Sequence, residues 1–170
     1  MSDAGAQSMM GSAHAGGIAR DRIADLYGEY VHLIDDDRLE AWPDLFTEQA
    51  SYRVTTRENH DRGLPLALIY CAGRGMMADR ISALRTANIY EPHVYCHMVS
   101  AIEVLETVAD GVRARSNFVV MRTMQGGDTM VFACGRSFDT IVEEGGRLRF
   151  AARTVVLDSR SIDTLLVIPL

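Results

Sequence analysis

The chain has 170 residues, of which 48% are hydrophobic and 24% are charged, and its formal net charge is −6. This length and composition predict one domain with a hydrophobic core. The acidic balance argues against binding to nucleic acid, which requires a basic surface. All 17 Lys and Arg positions are arginine, the residue that forms planar, bidentate pairs with carboxylates and suits interfaces.

Three cysteines, Cys71, Cys96 and Cys134, are spread along the chain without a CxxC or CxH motif. This pattern predicts reduced thiols in a cytoplasmic protein, with neither a disulfide framework nor a zinc site. Residues 1–17 are small, polar and rich in glycine, without the basic and apolar regions of a signal peptide, and we expect them to be disordered. No run approaches the ~20 apolar residues that cross a bilayer. We therefore expect one domain over residues 18–170 that does not bind membranes.

The first predicted element is an amphipathic helix that begins at Ile18. Its apolar residues recur at helical spacing, and they are Ile23, Leu26, Tyr27, Tyr30, Val31 and Ile34. Three acids, Asp35 to Asp37, end it, although negative charge is unfavourable at a helix C-terminus. We therefore expect at least one of them to cap the N-terminus of a second helix over residues 38–46.

Four further segments precede the long strands. They are a strand at 50–56, a polar loop at 57–63, an apolar strand or short helical turn at 64–71, and a central helix at 76–86. The loop holds His60. A Gly-Arg-Gly turn precedes the central helix, and Asn88 and Pro92 end it.

After Pro92 the pattern changes to long extended runs separated by short turns that contain glycine. The four predicted strands cover residues 94–107, 112–124, 129–142 and 147–157, and a short apolar end follows at 165–168. Such turns predict consecutive antiparallel hairpins. Helices followed by a meander indicate the α+β class, and strands of this length must coil and bend. We therefore expect a cone, with N-terminal helices packed on one face of a strongly curved antiparallel sheet.

Two histidines, His93 and His97, have the HxxxH spacing that binds one metal ion when it lies on a helix. Here Pro92 and the neighbouring valine and tyrosine residues favour a strand, on which residues four apart are separated by ~13 Å. One ion cannot bridge that distance, so we expect no shared metal site.

A second group of polar residues suits acid–base chemistry. His32 lies one helical turn from Asp35, and Tyr52 and Tyr70 are candidate pocket residues because a cone leaves a cavity between its sheet and helices. A histidine, an aspartate and a tyrosine that meet there could transfer protons to and from a small substrate. The alternative is that these groups are polar side chains at the edge of the core.

Charged and hydrogen-bonding side chains are concentrated around the connection between the central helix and the following strand. They are Arg74, Arg80, Arg85, Glu91, His93 and His97. This density favours a surface that another chain contacts. An ion-pair network that caps the helix locally is the alternative, and spacing alone does not distinguish the two.

Three stretches of the chain, taken together and in order, match a known family. They are YGEYVHLIDDDRLEAWPDLFTEQASYRV, DRISALRTANIYEPHVYCHMVS and the C-terminal DTLLVIPL. They resemble the small (beta) subunits of Rieske-type aromatic-ring-hydroxylating oxygenases, in which a DR…ALR helix leads into a Tyr-Glu-Pro-His turn, as at residues 79–85 and 90–93 here. The resemblance covers roughly residues 20–170 and implies an NTF2-like (SnoaL-like) cone.

The resemblance also implies a hexamer of three large and three small subunits, in which this chain trimerises and supports the large subunits. The large (alpha) subunit carries the Rieske [2Fe-2S] cluster and the mononuclear iron, and a reductase or ferredoxin supplies electrons. This chain has no CxH…CxxH ligand pair for such a cluster, so we expect no catalytic, cofactor-binding or metal-binding residue in it. Subunit contacts are expected at Arg74, Arg80, Arg85, Tyr90, Glu91, His93 and Leu170.

Within the family, the chain looks most like the small subunits of oxygenases that act on aromatic carboxylates, first terephthalate and then salicylate or anthranilate. The features that carry this likeness are Tyr52-Arg-Val leading into Asn59-His60, Leu68-Ile69-Tyr70, and the DTL…PL end. The expected function is therefore a structural subunit of a multicomponent aromatic-ring-hydroxylating dioxygenase. Two other classes stay open: a stand-alone cone-fold dehydratase or isomerase that uses His32, Asp35 and Tyr52, and a plain ligand-binding or dimerisation module.

Overall fold

The computed structural model describes residues 18–87, 89–158 and 166–170. Over these residues the chain forms α1 (Arg20–Asp35), a 3-10 helix (Leu39–Leu45), β1 (Phe46–Thr56), α2 (Arg57–Asp61), β2 (Ile69–Ala72), α3 (Arg74–Thr86), β3 (His93–Val108), β4 (Gly111–Met124), β5 (Thr129–Glu144) and β6 (Arg147–Leu157). None of the helices in these ranges is long and apolar enough to cross a membrane. The predictions for residues 1–17, Asn88 and Leu165 lie outside the described residues.

The six strands form one sheet in the order β2-β1-β6-β5-β4-β3. Strands β3 to β6 are consecutive antiparallel hairpins, as the turns that contain glycine predicted. Gly145 and Gly146 adopt φ values of 60° and 79° between β5 and β6, the left-handed conformation that a two-residue hairpin turn needs. The first strand departs from the prediction, because β1 pairs with β6 in parallel and with β2 antiparallel. The sheet is therefore mixed rather than wholly antiparallel.

Irregular strand pairing bends the sheet into a cone. Register shifts interrupt the pairing of β3 with β4 after Ser100 and of β5 with β6 after Thr140. At the first shift Ala101 has a positive φ of 50°, and bulges of this kind bend a strand and increase its twist. The long strands thereby curve around the helices: α1 contacts β3 and β6, and α3 contacts β1, β2 and the 3-10 helix. The predicted α+β cone with helices packed on a curved sheet is confirmed.

The core lies between the concave face of the sheet and the helices. Its centre is a cluster of buried aromatic side chains: Tyr27, Tyr30, Trp42, Phe46, Tyr52 and Phe150. Their rings meet tilted or edge to face at centroid separations between 5.0 and 6.4 Å, the arrangement that the ring quadrupoles favour. Burial of one large apolar side chain contributes roughly 1.5–3 kcal/mol, so this cluster fixes the helices on the sheet.

The acids at the end of α1 do not cap the next helix. That helix is a 3-10 helix rather than an α-helix, and its N-cap, Arg38, makes no side-chain cap bond. Asp35 accepts hydrogen bonds from His97, and Asp37 accepts them from Arg85. The capping prediction is therefore wrong, because side chains from distant elements bind these carboxylates instead of the local backbone.

Residues 57–71 also differ from the prediction. The segment predicted as a loop contains α2, whose N-terminus is capped by Thr56, since the Asn59 N–H donates to the Thr56 hydroxyl oxygen at 3.3 Å. Only the end of the apolar run at 64–71 enters a strand, β2. Leu66 and Leu68 are 61% and 52% exposed. The prediction that this run is a buried strand or a helical turn is wrong for these leucines, which lie at the surface.

Candidate functional site

A buried polar cluster lies inside the cone. Asp139 on β5 accepts hydrogen bonds at Oδ2 from the Tyr27 hydroxyl at 2.5 Å, the Ser137 hydroxyl at 2.8 Å and the Arg153 guanidinium at 2.8 Å. Ser137 also shares a 2.8 Å hydrogen bond with Ser116 on β4. Three donors that converge on one oxygen favour the carboxylate form. The cluster thereby ties α1 to β4, β5 and β6.

Arg153 is the cation of this cluster, and its side chain is 3% exposed. Its guanidinium lies 4.2 Å from the centroid of the Tyr30 ring and also approaches the Tyr27 and Phe150 rings, a cation–π arrangement. Burial lowers the pKa of Arg153, but Asp139 and the tyrosines raise it by more, so the guanidinium stays charged. Burial raises the pKa of Asp139, and Arg153 opposes that shift. A charge pair enclosed in this way holds structural elements together and is closed to a substrate.

The C-terminal residues 166–170 occupy the interior of the cone. Leu170 is 2% exposed, and its carbonyl oxygen accepts hydrogen bonds from the Tyr30 hydroxyl at 2.6 Å and the Tyr52 hydroxyl at 3.1 Å. Arg80 on α3 donates to the carbonyl oxygens of Leu166 at 2.7 Å and Val167 at 3.3 Å. Arg80 and Leu170, both predicted at subunit contacts, make these hydrogen bonds within their own subunit, where they dock the C-terminal segment.

The predicted acid–base group of His32, Asp35 and Tyr52 is not assembled. His32 is exposed on α1, and the Tyr52 hydroxyl donates to Leu170. Asp35 accepts from the backbone N–H of His97 at 2.8 Å and lies 2.6 Å from its Nδ1. Tyr70, the other candidate pocket residue, is 52% exposed. The dehydratase or isomerase that requires this group is therefore not favoured.

The two histidines of the HxxxH pattern lie on β3, as predicted, and have separate partners. His97 is paired with Asp35, 62 positions away, a contact that sequence spacing did not reveal. His93 Nδ1 lies 2.8 Å from the Glu91 carbonyl oxygen. Among the described residues, no group of three or more His, Cys, Asp or Glu side chains could hold a metal ion. These residues therefore do not fit a Rieske cluster, which needs two cysteine and two histidine ligands.

Two of the arginines predicted at subunit contacts pair with acids in their own chain. Arg85 lies 2.8 Å from Asp37 and 2.7 Å from Glu40, and Arg74 lies 2.7 Å from Glu48. The hydrogen bond from Arg85 lowers the pKa of Glu40. The hydrogen bond to Glu40 in turn raises the pKa of Arg85. A local ion-pair network, the alternative raised by the sequence, describes these two arginines.

The remaining predicted contact residues lie around a notch between the end of α1 and the start of β3. The notch has a volume of about 230 Å³, and Tyr90 and His93 line it together with Ile168. Glu91 is exposed, and no cation among the described residues pairs with its carboxylate. The neighbouring Ile89 is 97% exposed. We call residues 89–91 the Glu91 turn, a surface feature with an unpaired acid beside a bare apolar side chain.

A second concavity, of about 570 Å³, lies on the outer face of the sheet. Its lining includes Arg53 of β1, Tyr70 of β2, Phe138 of β5 and His60 of α2. The Arg53 guanidinium lies 5.5 Å from the Tyr70 ring centroid, and the His60 ring stacks on Phe138 at 5.0 Å. We call this concavity the Arg53 cleft. The sequence did not predict it, because its side chains come from five separate elements, the fifth being β6 with Thr154.

Comparison with known proteins identifies the family. A family model for the ring hydroxylating beta subunit matches residues 30–164. The small subunit of anthranilate 1,2-dioxygenase from Burkholderia cepacia is 38% identical over 145 residues, 85% of this chain and 90% of that protein. Subunit beta 2 of the terminal oxygenase component of terephthalate 1,2-dioxygenase from Comamonas sp is 40% identical over 149 residues, 88% of this chain and 97% of that protein.

A solved structure agrees with both the fold and the family. A protein from Novosphingobium aromaticivorans, assigned as the beta subunit of an aromatic-ring-hydroxylating dioxygenase, matches with a TM-score of 0.80 and 37% identity, and the match covers 88% of this chain and 94% of that chain. The architecture is therefore the NTF2-like α+β cone that the resemblance implied. The chain belongs to the family of ring hydroxylating beta subunits.

Proposed function

We propose that this chain is the small (beta) subunit of the terminal oxygenase of a multicomponent Rieske non-haem iron aromatic-ring-hydroxylating dioxygenase. Its role is structural: it supports assembly of a cytoplasmic hexamer of three large and three small subunits. The large (alpha) subunit holds the Rieske [2Fe-2S] cluster and the mononuclear iron, and a reductase or ferredoxin delivers electrons. The observation that carries this proposal is the 40% identity to a terephthalate dioxygenase beta subunit over 88% of the chain.

The geometry supports an assembly role for the subunit. The interior of the cone, where a cavity was expected, holds residues 166–170 and the Asp139–Arg153 pair. Among the described residues, the Tyr27, Tyr30, Tyr52, Asp139 and Arg153 side chains bind one another or the C-terminal segment. Each of these residues is at most 4% exposed, so a substrate does not reach them from solvent. The exposed Glu91 and the half-buried Arg53 have no ion-pair partner among the described residues, and they suit contacts with other chains.

We propose that the predicted contact residues act at two depths. Tyr90, Glu91 and His93 lie at the surface that a neighbouring subunit contacts. The others support that surface from within the subunit: Arg74 and Arg85 fix the two ends of α3 through ion pairs, and Arg80 and Leu170 hold the C-terminal segment.

We propose an aromatic carboxylate, such as terephthalate, as the substrate of the complex. The relatives that support this are named for anthranilate and terephthalate, and each of these molecules carries a carboxylate on an aromatic ring. The proposal concerns the complex, because no group of three or more His, Cys, Asp or Glu side chains among the described residues could hold the metal that the reaction uses.

Co-expression with a large subunit that carries Rieske ligands tests the function. The tagged chain is expected to retain the untagged large subunit at a one-to-one ratio. With its electron donors, the purified complex is expected to consume oxygen in the presence of terephthalate or anthranilate. The dimethyl ester of terephthalate, which lacks the free carboxylates, is the matched control and is expected to be a poor substrate.

The chain purified alone supplies the second arm of this experiment. It is expected to contain no stoichiometric iron and to show no visible absorbance. Iron bound at one equivalent to the isolated chain, or failure to retain any large subunit, would contradict the proposed role. Assembly without activity on either carboxylate would contradict the substrate proposal alone.

A further inference from the structure

We infer that small subunits join head to tail, with the Glu91 turn of one copy seated in the Arg53 cleft of the next. This inference rests on the proposed function for the existence of a trimer of small subunits. It goes further because it names the two surfaces that meet, the charge pair at their centre and the symmetry of the contact.

Arg53 differs from most of the other described arginines, because its guanidinium has no counter-ion among the residues that the structure describes. Several exposed arginines of the sheet pair closely with acids, as Arg113 does with Glu106 and Arg115 with Glu103, both at 2.6 Å. Arg53 contacts the Tyr70 ring, and no carboxylate among the described residues lies within ion-pair distance of it. In a chain of net charge −6, a half-buried guanidinium left in this state is a site for a carboxylate from outside, which it binds in a planar, bidentate manner.

The surroundings of Arg53 suit a protein side chain that brings apolar contacts with its acid. Leu64 and Pro65 form part of the wall of the cleft. The same segment exposes Leu66 and Leu68 at its rim, at 61% and 52%. An exposed apolar patch next to an unpaired charge is typical of a surface that another chain covers.

The Glu91 turn has the complementary properties. Its carboxylate is exposed and has no cation partner among the described residues. Ile89, two residues before it, is 97% exposed. Pro92 follows and restricts the backbone of Glu91, so the acid loses little conformational freedom on docking. The exposed Glu91 and Ile89 of the turn therefore complement the cleft, in which Arg53 lies beside exposed leucines.

The two sites do not meet within one subunit, and this sets the symmetry. In the order β2-β1-β6-β5-β4-β3, Arg53 lies on β1 near one edge of the sheet, and the Glu91 turn precedes β3 at the opposite edge. A contact between different patches of identical chains is heterologous, and it closes into a ring when the rotation permits. In a closed ring of three copies, each Arg53 cleft binds the Glu91 turn of one neighbour, so every cleft and every turn is occupied.

Charge reversal in the full-length chain tests the contact. Arg53→Glu places two acids at each junction, and Glu91→Arg places two arginines there. Each single variant is expected to raise the dissociation constant of the trimer at least about tenfold in sedimentation equilibrium, because like charges that face each other oppose association. The double variant restores opposite charges at all three junctions, and its dissociation constant is expected to return to within about threefold of that of the unaltered chain.

An equal mixture of the two single variants tests the symmetry. In a ring of three, any mixture keeps at least one junction of like charges, so the mixture is expected to associate better than either variant alone and less well than the double variant. A two-fold contact would instead be fully repaired by mixing, because both of its charge pairs would be restored. Full repair by mixing would therefore overturn the head-to-tail arrangement.

Two exposed charges far from both surfaces serve as matched controls. Arg20→Glu on α1 and Asp110→Arg in the β3–β4 turn are expected to leave the dissociation constant unchanged, and circular dichroism checks that every variant is folded. The measurements are made on the chain alone and on its complex with the large subunit. If the unaltered chain forms a trimer in neither, the proposed function fails. If it does and both single variants assemble equally well, this inference fails and the proposed function stands.

Discussion

Asp139 is a buried carboxylate, and we expect its substitution to destabilise the fold strongly. Asp139→Ala removes the counter-ion of Arg153 and the acceptor for the Tyr27 and Ser137 hydroxyls. A buried charge that loses its partner costs about 3–5 kcal/mol. We expect the free energy of unfolding, measured by urea denaturation at neutral pH, to fall by a similar amount.

Glu103→Ala is the control for this variant, because it breaks an ion pair of similar length at the surface. Glu103 lies 2.6 Å from Arg115, and their side chains are about half exposed. An exposed pair contributes about 1 kcal/mol or less. If Asp139→Ala were no more destabilising than Glu103→Ala, the Asp139–Arg153 pair would not be closed to solvent as the structure shows.

The Arg85→Ala variant distinguishes a role of Arg85 in the stability of the monomer from a role in assembly with the large subunit. Its partners Asp37 and Glu40 are 68% and 66% exposed, so solvent screens the pairs and Arg85→Ala is expected to cost the monomer only ~1 kcal/mol. The proposed position behind a subunit contact predicts, in addition, weaker assembly with the large subunit in size-exclusion chromatography. Arg147→Ala, which breaks the exposed pair with Glu29, is expected to assemble normally. Normal assembly of both variants would remove Arg85 from the proposed contact.

At the scale of elements, those governed by local chemistry were predictable from the sequence. The four meander strands begin and end within two residues of the predicted bounds, because glycine-containing turns define their ends. Elements that depend on distant partners were not predicted correctly. Packing sets two of these features: the parallel pairing of β1 with β6 and the 3-10 form of the second helix. Hydrophobic periodicity shows which face of an element is apolar, but it does not show which other element that face packs against.

The C-terminal residues 166–170 act as an element of the core although they form neither helix nor strand. Deletion of residues 167–170 removes Val167 and Leu170, each 2% exposed, and leaves the buried Tyr30 and Tyr52 hydroxyls without the acceptor at Leu170. Each buried apolar side chain contributes ~1.5–3 kcal/mol, so we expect stability to fall by at least ~3 kcal/mol in a urea titration. Trimer formation is expected to weaken with it.

A point variant distinguishes loss of packing from simple shortening of the chain. Leu170→Ala is expected to lower the thermal midpoint in the same direction as the deletion, and Leu105→Ala, at a side chain that is 48% exposed, is expected to change it little. A truncated protein with an unaltered midpoint and normal assembly would show that the segment is dispensable.

At the scale of the whole molecule, the sequence predicted the buried apolar face of α1 but not the residues that this face meets. Tyr27 and Asp139 are separated by 112 positions, and Arg80 and Leu166 by 86. Hydrophobic patterning assigns such residues to a face without selecting their partners. The resemblance to beta subunits identified the family because it rested on ordered motifs over nearly the whole chain. It did not reveal the Arg53 cleft, which exists only once five elements have packed.

The closed interior also predicts how the whole molecule responds to alkaline pH. Burial raises the pKa of Tyr27, Tyr30 and Tyr52 above the value of about 10 for an unfolded tyrosine. The folded state therefore holds these protons more tightly than the unfolded state. Their contribution to stability is complete below about pH 10 and decreases as the pH rises above it. We expect tyrosinate absorbance from these three residues to appear together with the loss of circular dichroism, in one cooperative transition.

Two controls connect this transition to the buried tyrosines. In concentrated urea the delayed absorbance is expected to disappear, because the unfolded chain no longer shields the hydroxyls. In Tyr52→Phe the delayed absorbance is expected to fall by roughly a third, since one of three contributing phenols is removed. If Tyr27, Tyr30 and Tyr52 ionised gradually while circular dichroism stayed constant, water would reach their hydroxyls in the folded state. The interior would then be open enough to admit a ligand, and the structural role proposed for this subunit would lose its main physical support.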